Sequence, residues 1–361
     1  MNDRPMLQTP IRYSAEMEHP EENEAETITR LETEMRSVRE TTFAHSGQAS
    51  RSVHAKAHGI LSGTMTVLPG LSPALAQGLF AEAGPFDVVL RLSTIPGDML
   101  DDSVSTPRGL GLKVKGVHGA RLPGAETGTE QDFVLANAPA FSAPTATKFL
   151  GSLKLLAATT DKVEGLKEVV SRIARVTEAG LEAVGLKSAL VTTMGGQPAT
   201  NVLGETYFSQ TPFLFGPYVA KFAVAPVSPG LMALTGATID VSASPDALRR
   251  AVIEHFSTQG GEWEFRVQLM TDAETMPIED ASVAWPEDQS PYVAVARISV
   301  APQNAWAAAE IAAVDHCMAF SPWQGLAAHR PLGGVNRARN GTYANSAGFR
   351  RDHNGCPMHG G

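Results

Sequence analysis

Hydrophobic and polar residues alternate, or form short apolar runs, in several stretches bounded by glycine and proline. The pattern begins with GILSGTMTVLPG (59–70) and FDVVLRLST (86–94) and continues in GLGLKVKGVHG (109–119) and DFVLANAP (132–139). It returns in the segments 216–229, 262–272 and 290–302. Such runs are typical of β-strands. The pattern therefore predicts a sheet of at least six strands.

Other segments have the periodicity of helices. Residues 145–192 keep apolar side chains at i, i+3, i+4 and i+7. Residues 21–45 read as an acidic helix followed by an arm, and the alanine-rich segment 305–320 also predicts a helix. In SPDALRRAVIEHF, Ser244 is the expected N-cap and Pro245 the first helical residue.

The order of these elements is strands, helices and then more strands. This order predicts an α+β fold with a mostly antiparallel sheet that is large enough to close into a barrel. A dinucleotide-binding or P-loop sheet is disfavoured, because neither glycine-rich phosphate motif occurs. We expect an N-terminal arm and helix at 1–45, a barrel core with helices at 46–350 and a flexible tail at 351–361.

Composition excludes several classes of function. The 361 residues have a net charge of −9 and no block of lysine and arginine, which argues against a nucleic-acid surface. The sequence has no apolar run of about 18 residues that would predict a membrane span, and its polar N-terminus does not resemble a secretory signal. Cys317 and Cys356 are too few for a disulfide framework or a zinc site, which favours a reducing cytoplasm.

The C-terminal region contains a pair with distinctive chemistry. Arg339 and Tyr343 are four residues apart and would share one face of a helix, to which Arg350 returns two turns later. A guanidinium group favours the phenolate form of a neighbouring tyrosine, and a phenolate can ligate haem iron. By spacing alone, however, a surface pair is the commoner arrangement.

Five segments in order give this pair a context. RSVHAKAHG (51–59) resembles the distal-histidine segment of haem catalases, and RNGTYANSAGFR (339–350) resembles their proximal Arg-x-x-x-Tyr segment. RLSTIPGD, TPRGLGLKVKG and DFVLANAPAF resemble the segments between them. The chain is shorter than a full catalase and is most similar to the short catalase-related peroxidases. This resemblance implies an antiparallel β-barrel of the haem-catalase type, with inserted and flanking helices, that binds haem b.

The resemblance also implies roles for individual residues. Tyr343 corresponds to the iron ligand and Arg339 to its charge partner, while His54 corresponds to the distal acid–base residue and Ser93 to the serine beside it. The remaining haem contacts implied are Arg51, Arg91 and Arg350 for the propionates, and Val53, Val134 and Phe149 for the ring.

One position departs from the catalase pattern. Where catalases have the distal asparagine that holds peroxide, this chain has Ala136, and Asn137 matches the next residue. Either Asn137 takes the catalytic role through a local shift, or the amide is missing. Loss of one such donor costs about 2.7–4 kcal/mol by analogy with an oxyanion hole. The departure favours peroxidase chemistry over disproportionation of two peroxides.

The function expected is therefore a haem peroxidase of the oxidative stress response. It would use hydrogen peroxide or an organic hydroperoxide together with a small organic reductant. The alternatives are a true catalase, a fatty-acid hydroperoxide isomerase or lyase, and a non-catalytic haem-binding barrel. The isomerase relatives carry threonine before the distal histidine, where this chain has Val53. Relatives suggest a homo-oligomer, a dimer or tetramer, and NADPH binding is not expected.

Overall fold

A closed antiparallel β-barrel forms the centre of the molecule. The computed structural model describes residues 9–95, 97, 99–160 and 198–356. In the described chain, β5 pairs with both β4 and β7, so that eight strands close into a ring in the order β5, β4, β3, β2, β1, β9, β8, β7, and β6 is added beside β7. The strands are β1 Lys56–Val67, β2 Gly84–Thr94, β3 Arg108–Val114, β4 Gln131–Ala136, β5 Tyr207–Phe208, β6 Phe213–Phe215, β7 Tyr218–Pro226, β8 Gly261–Leu269 and β9 Val293–Val300. The α+β class and the antiparallel barrel are thus confirmed.

The alternation of side chains divides β2, β3 and β4 into two faces. The inner face carries large apolar residues, each with at most 2% of its surface exposed, that fill the barrel. They are Leu90, Leu92, Leu110, Leu112, Phe133 and Leu135. The residues between them, Arg91, Ser93, Gly109, Gly111 and Val134, therefore lie on the outer face of the barrel.

Helices cover this outer face. α1 and α2 pack with α6 through Leu31, Ala146, Leu150 and Ala338. The α-helices of the described residues are α1 Glu24–Ser46, α2 Ala146–Thr160, α3 Pro229–Met232, α4 Ala247–Thr258, α5 Ala308–Glu310 and α6 Gly334–His353, and a π-helix spans Ile311–Cys317. Short 3-10 turns lie at Ala15–Met17, Gly78–Phe80 and Ala327–His329. None of the helices in the described ranges is long and apolar enough to cross a membrane.

The alanine-rich segment 305–320 is helical from Ala308 to Cys317, as predicted, but the part from Ile311 onward is a π-helix and not an α-helix. The carbonyl groups of Val314, Asp315 and Met318 at its end accept hydrogen bonds from the Arg51 guanidinium. Sequence periodicity cannot register a side chain that arrives from a segment more than 260 residues away.

Two other helix boundaries differ from the sequence prediction. α4 begins at Ala247, so Ser244 is not its N-cap; instead the Asp102 carboxylate accepts the Leu248 N–H at 2.8 Å. α6 continues through His353, so its last turn includes residues predicted to belong to the tail. Of the helix predicted at 145–192, the described part ends at Thr160, and residues 161–192 lie outside the described residues.

The two cysteines form a disulfide, Cys317–Cys356, which the sequence did not predict. Thirty-nine positions separate them along the chain, and packing of the π-helix against the end of α6 brings them together. Disulfides persist mainly in oxidising environments. The pair therefore removes the cysteine-based argument for a reducing cytoplasm, which stays a prediction.

Candidate active site

A cavity of about 690 Å³, measured to its open mouth, lies between the outer face of the barrel and α6. Eight of the residues singled out from the sequence line it: Arg51, Val53, His54, Arg91, Ser93, Val134, Tyr343 and Arg350. Met35, Ser52, Gly109, Leu110, Gly111, Leu135, Ala319, Phe320, Thr342, Ser346 and Ala347 complete the wall. The structure thus brings the N-terminal and C-terminal motifs to one place.

His54 has a backbone conformation that is rare for a residue with a side chain. Its φ is +55°, in the left-handed region. Its imidazole lies directly over Gly109, where an added Cβ would overlap the ring atoms Cε1 and Nδ1. Glycine at 109 is therefore required for the position of His54, and the strained backbone is of the kind often found at functional sites.

The His54 imidazole is neutral in this site. Burial, assisted by the positive charges of Arg91, Arg339 and Arg51, lowers the pKa of His54 to about 3. The Oγ of Ser93 is 3.3 Å from its Nδ1 and also lies 3.4 Å from the Gly109 carbonyl oxygen. If the Ser93 hydroxyl donates to that carbonyl, its oxygen accepts the Nδ1 proton, and Nε2 is left free to accept a proton.

Arg51 and Arg91 share one carboxylate. Asp315 Oδ1 accepts from Arg51 Nη1 at 3.0 Å and from Arg91 Nε at 2.8 Å. Burial alone would raise the pKa of Asp315, but the two guanidinium groups outweigh burial and lower it. Asp315 is therefore an ionised side chain inside the protein, held by two cations.

Arg350 completes a group of three arginines. Its Nη2 donates to the Met318 carbonyl oxygen at 3.2 Å, and Arg51 Nη2 donates to the same oxygen at 2.8 Å. Burial, together with the charge of Arg91, lowers the pKa of Arg350 to about 10, so it stays protonated at neutral pH. Asp315 pairs with Arg51 and Arg91, and Arg350 has no carboxylate partner among its hydrogen bonds in the described chain. The three guanidinium groups and this one carboxylate leave an excess of two positive charges at the cavity wall.

Two polar atoms of residues that line the cavity are buried without a hydrogen-bond partner. They are the Oγ of Ser52 and the Nε of Arg350. Buried polar groups are rarely left unpaired, so these atoms indicate a ligand that supplies acceptors. A planar molecule with two carboxylates, such as haem with its two propionates, satisfies both the charge excess and the unpaired donors. The residues present therefore fit haem.

Tyr343 lies on α6 on the side of the cavity formed by that helix. One turn earlier, Arg339 is half-buried, and its hydrogen bonds in the described chain go to neutral oxygens, Thr211 Oγ1 and Asn336 Oδ1, both at 3.1 Å. Burial lowers the pKa of Arg339.

Three of the predicted site residues do not line the cavity: Asn137, Phe149 and Arg339. The Asn137 side chain accepts the Arg108 N–H at 2.9 Å through Oδ1. Phe149 packs against Phe141 with ring centroids 5.2 Å apart, and Phe141 in turn lies below the Arg339 guanidinium. Asn137 is thus a brace between β3 and β4, and Phe149 and Arg339 stand behind the cavity wall.

Residues that the sequence did not single out contribute to the site. Asp315 organises the arginines, Ser52 offers a free hydroxyl, and Asn336 bridges Thr211 and Arg339. An aspartate among the apolar residues of an alanine-rich segment is a sequence signal that could have identified Asp315. The described residues contain no cluster of three His, Cys, Asp or Glu that could hold a metal ion. Haem needs no such cluster, because the porphyrin nitrogens and one axial side chain ligate its iron.

Solved structures provide an independent comparison for the barrel. Over 97% of this chain, catalase A from Saccharomyces cerevisiae superposes with a TM-score of 0.57 at 17% identity. The chain has the catalase fold. A bacterial catalase matches with a TM-score of 0.59 and 18% identity over 97% of this chain, and a fungal catalase with 0.55 and 17% over 86%.

The chain spans only part of the length of these catalases. It covers 61% of the fungal, 68% of the yeast and 66% of the bacterial protein. No protein-family model and no curated protein matches the sequence. At these identities the comparison establishes the fold, and the activity has to be argued from the site.

Proposed function

We propose that the protein is a haem-dependent peroxidase of the catalase superfamily, of the short catalase-related type. It would reduce hydrogen peroxide or an organic hydroperoxide and oxidise a small organic donor. The observation that carries this proposal is one cavity with a neutral histidine, His54, on one wall and Tyr343, close to the cation Arg339, on the opposite wall, together with an excess of positive charge.

The residues that would hold haem b follow from this geometry. Tyr343 would ligate the iron, and Arg51, Arg91 and Arg350 would pair with the propionates, for which planar guanidinium groups are well suited. Val53 and Val134 supply apolar contact for the ring. When bound, haem supplies the iron centre at which peroxide is reduced by two electrons.

His54 would move the proton in that reaction. Its free Nε2 accepts a proton from the near oxygen of the peroxide and returns it to the far oxygen, which leaves as water. The Ser93 hydroxyl holds the opposite ring nitrogen and so fixes the tautomer. The depressed pKa of His54 keeps the imidazole able to accept a proton at neutral and mildly acidic pH.

The side-chain set around His54 favours peroxidase over catalase chemistry. Position 136 is alanine, and the neighbouring Asn137, whose Oδ1 accepts the Arg108 N–H, does not line the cavity. No amide donor therefore supports His54 from these two positions. Positioning a second peroxide for disproportionation would suffer most from this loss, whereas electron transfer from an organic donor does not need it.

Three other functions remain as alternatives to be tested. A true catalase would share the fold of the catalases that superpose on this chain. A fatty-acid hydroperoxide isomerase or lyase is less consistent with Val53 in front of His54. A non-catalytic haem-binding barrel would have no need of a neutral histidine beside Ser93.

The test compares two activities of the haem-loaded protein: oxygen release from hydrogen peroxide, and peroxide-dependent oxidation of a dye. We expect dye oxidation to dominate. Dominant oxygen release would identify a catalase, and the absence of both activities would indicate a haem-binding protein without catalysis. Tyr343→Phe should lose haem, with Tyr292→Phe as a control on a half-buried tyrosine outside the cavity. A Tyr343→Phe variant with full haem content and an unchanged haem absorption spectrum would refute Tyr343 as the iron ligand. Light scattering of the same samples tests the expected homo-oligomer.

A further inference from the structure

We propose that Cys317 and Cys356 form a second peroxide-reactive site of this protein, a dithiol–disulfide pair whose oxidation fixes one wall of the cavity and slows haem loss. The inference rests on the proposed function for its cofactor and for its oxidant. It starts from the position of the disulfide relative to the two walls of the cavity.

The cavity has one wall from each half of the chain. Among the residues that the structure describes, every lining residue beyond position 135 lies between Cys317 and Cys356, inside the loop that the disulfide closes. These residues are Ala319, Phe320, Thr342, Tyr343, Ser346, Ala347 and Arg350. The other wall comes from α1, the segment 51–54 and strands β2 to β4. The disulfide therefore constrains one wall directly and reaches the other wall through the hydrogen bond between Arg51 and the Met318 carbonyl oxygen.

The two ends of the disulfide lie next to the groups that orient the arginines. Cys317 ends the π-helix and directly precedes Met318, whose carbonyl oxygen receives Arg51 and Arg350. Cys356 is two residues past Asn354, at the C-terminal end of α6. A π-helix is a rare and poorly stabilised element, so its end depends on neighbouring contacts more than the end of an α-helix does.

Few other bonds join these two ends in the described chain. Asn354 Nδ2 donates to the His316 carbonyl oxygen at 3.2 Å, and Arg350 Nη2 donates to Met318. Asn354 also exchanges hydrogen bonds with the backbone of Ala49, which leads into the segment of Arg51 and His54. Reduction of the disulfide would leave only this small polar set between α6 and the π-helix. The Met318 carbonyl would then move more freely, and so would the arginines it holds.

Cys317 and Cys356 are each only partly buried. Oxidation is a balanced two-electron reaction. The thiolate of one cysteine attacks a peroxide oxygen, the O–O bond breaks, and a sulfenic acid and one water form. The sulfur of the second cysteine then attacks the sulfenic sulfur, the S–S bond forms and a second water leaves. Peroxide is reduced and the two thiols are oxidised, without a further co-reactant.

The first experiment measures haem loss from the full-length, haem-loaded protein to excess apomyoglobin, before and after reduction with a phosphine. We expect reduction to accelerate haem loss at least tenfold. Cys317→Ser and Cys356→Ser should lose haem at the fast rate with or without the phosphine, which controls for effects of the reductant on the iron. Equal rates for oxidised and reduced wild-type protein would overturn the proposal.

The second experiment does not depend on haem. Hydrogen exchange of the haem-free protein should be faster after reduction at residues 311–320, with β7 unchanged as an internal reference. One equivalent of hydrogen peroxide should restore the slow exchange and remove two hydrogens from the intact mass. A reduced protein with unchanged exchange at 311–320, or one that peroxide converts to separate sulfinic acids, refutes the dithiol site. A protein that takes up no haem refutes the proposed function instead, since the exchange measurement still reports on the disulfide.

Discussion

The Oγ of Ser93 lies 3.3 Å from Nδ1 of His54, which joins the outer face of β2 to a residue in left-handed conformation. The imidazole is held from below by Gly109, which has no side chain to displace it. The ring is thus fixed in place and tautomer before any ligand arrives, as a group that shuttles a proton requires.

Replacement of His54 by alanine should slow the reaction of the haem-loaded protein with peroxide by about 10²–10⁴-fold, the usual contribution of a positioned acid–base group. Haem content should stay the same, since Tyr343 and the arginines are unaffected. Ser93→Ala should slow the reaction only about tenfold, the effect of losing one hydrogen bond. Stopped-flow absorbance measures all three rates. A normal rate in His54→Ala would remove His54 from the mechanism.

The rate of that reaction should depend little on pH between 8 and about 4, because the pKa of His54 is about 3. A histidine with an ordinary pKa near 6.5 would lose its basic form over this range. Stopped-flow rates at constant ionic strength test the prediction, with circular dichroism as a check that the protein stays folded. A midpoint near 6.5 would contradict it.

Ala136→Asn should raise oxygen release relative to dye oxidation. Ala136 is the strand partner of Gly109, the residue beneath His54, so an amide there would lie next to the imidazole. By analogy with oxyanion-hole donors, the gain is up to about 10²-fold. The control is Asn137→Ala, which should lower stability through the lost Arg108 contact and leave the activity ratio unchanged. No change of ratio in Ala136→Asn would show that the missing amide does not limit disproportionation.

Asp315→Asn should lower the free energy of unfolding by about 3–5 kcal/mol, because it leaves Arg51 and Arg91 buried without their counter-charge. Urea unfolding of the haem-free protein measures the change. The matched control is Glu262→Gln, whose pair with Arg297 has side chains 42% and 41% exposed and should contribute at most about 1 kcal/mol. Equal effects of the two variants would mean that the arginine cluster does not depend on Asp315.

His329 should make the fold sensitive to acid. Burial lowers its pKa to about 4, and its Nε2 accepts the Leu79 N–H at 3.0 Å. Between pH 6.5 and 4 the unfolded chain takes up a proton that the folded chain does not, so stability falls as pH falls. This histidine alone accounts for about 2 kcal/mol between pH 7 and 5. In His329→Gln, the side-chain amide oxygen can still accept the Leu79 N–H. The free energy of unfolding of this variant should therefore fall by about 2 kcal/mol less between pH 7 and 5 than that of the wild-type protein. An identical pH dependence of the two proteins would refute the assignment to His329.

Much of the barrel could be read from the sequence, because the alternation in β2, β3 and β4 is a local property that each strand carries by itself. The motif order also identified the residues of both cavity walls, including His54 and Tyr343. The segment 305–320 is helical as predicted, but the sequence did not indicate its π-helix or the hydrogen bonds that the carbonyl groups at its end accept from Arg51, in a distant segment. Local propensity does not include such partners.

By itself, the sequence determined the fold class, the strands and the residue types that fit haem. The spacing of hydrophobic and polar residues and the order of the motifs are properties of the chain alone. Only the tertiary structure decided which of these residues face one cavity. It turned Asn137 toward the Arg108 backbone, placed Asp315 between two arginines and joined Cys317 to Cys356. The physical reason is that counter-charges and cross-links pair groups that are close in space, whatever their distance along the chain.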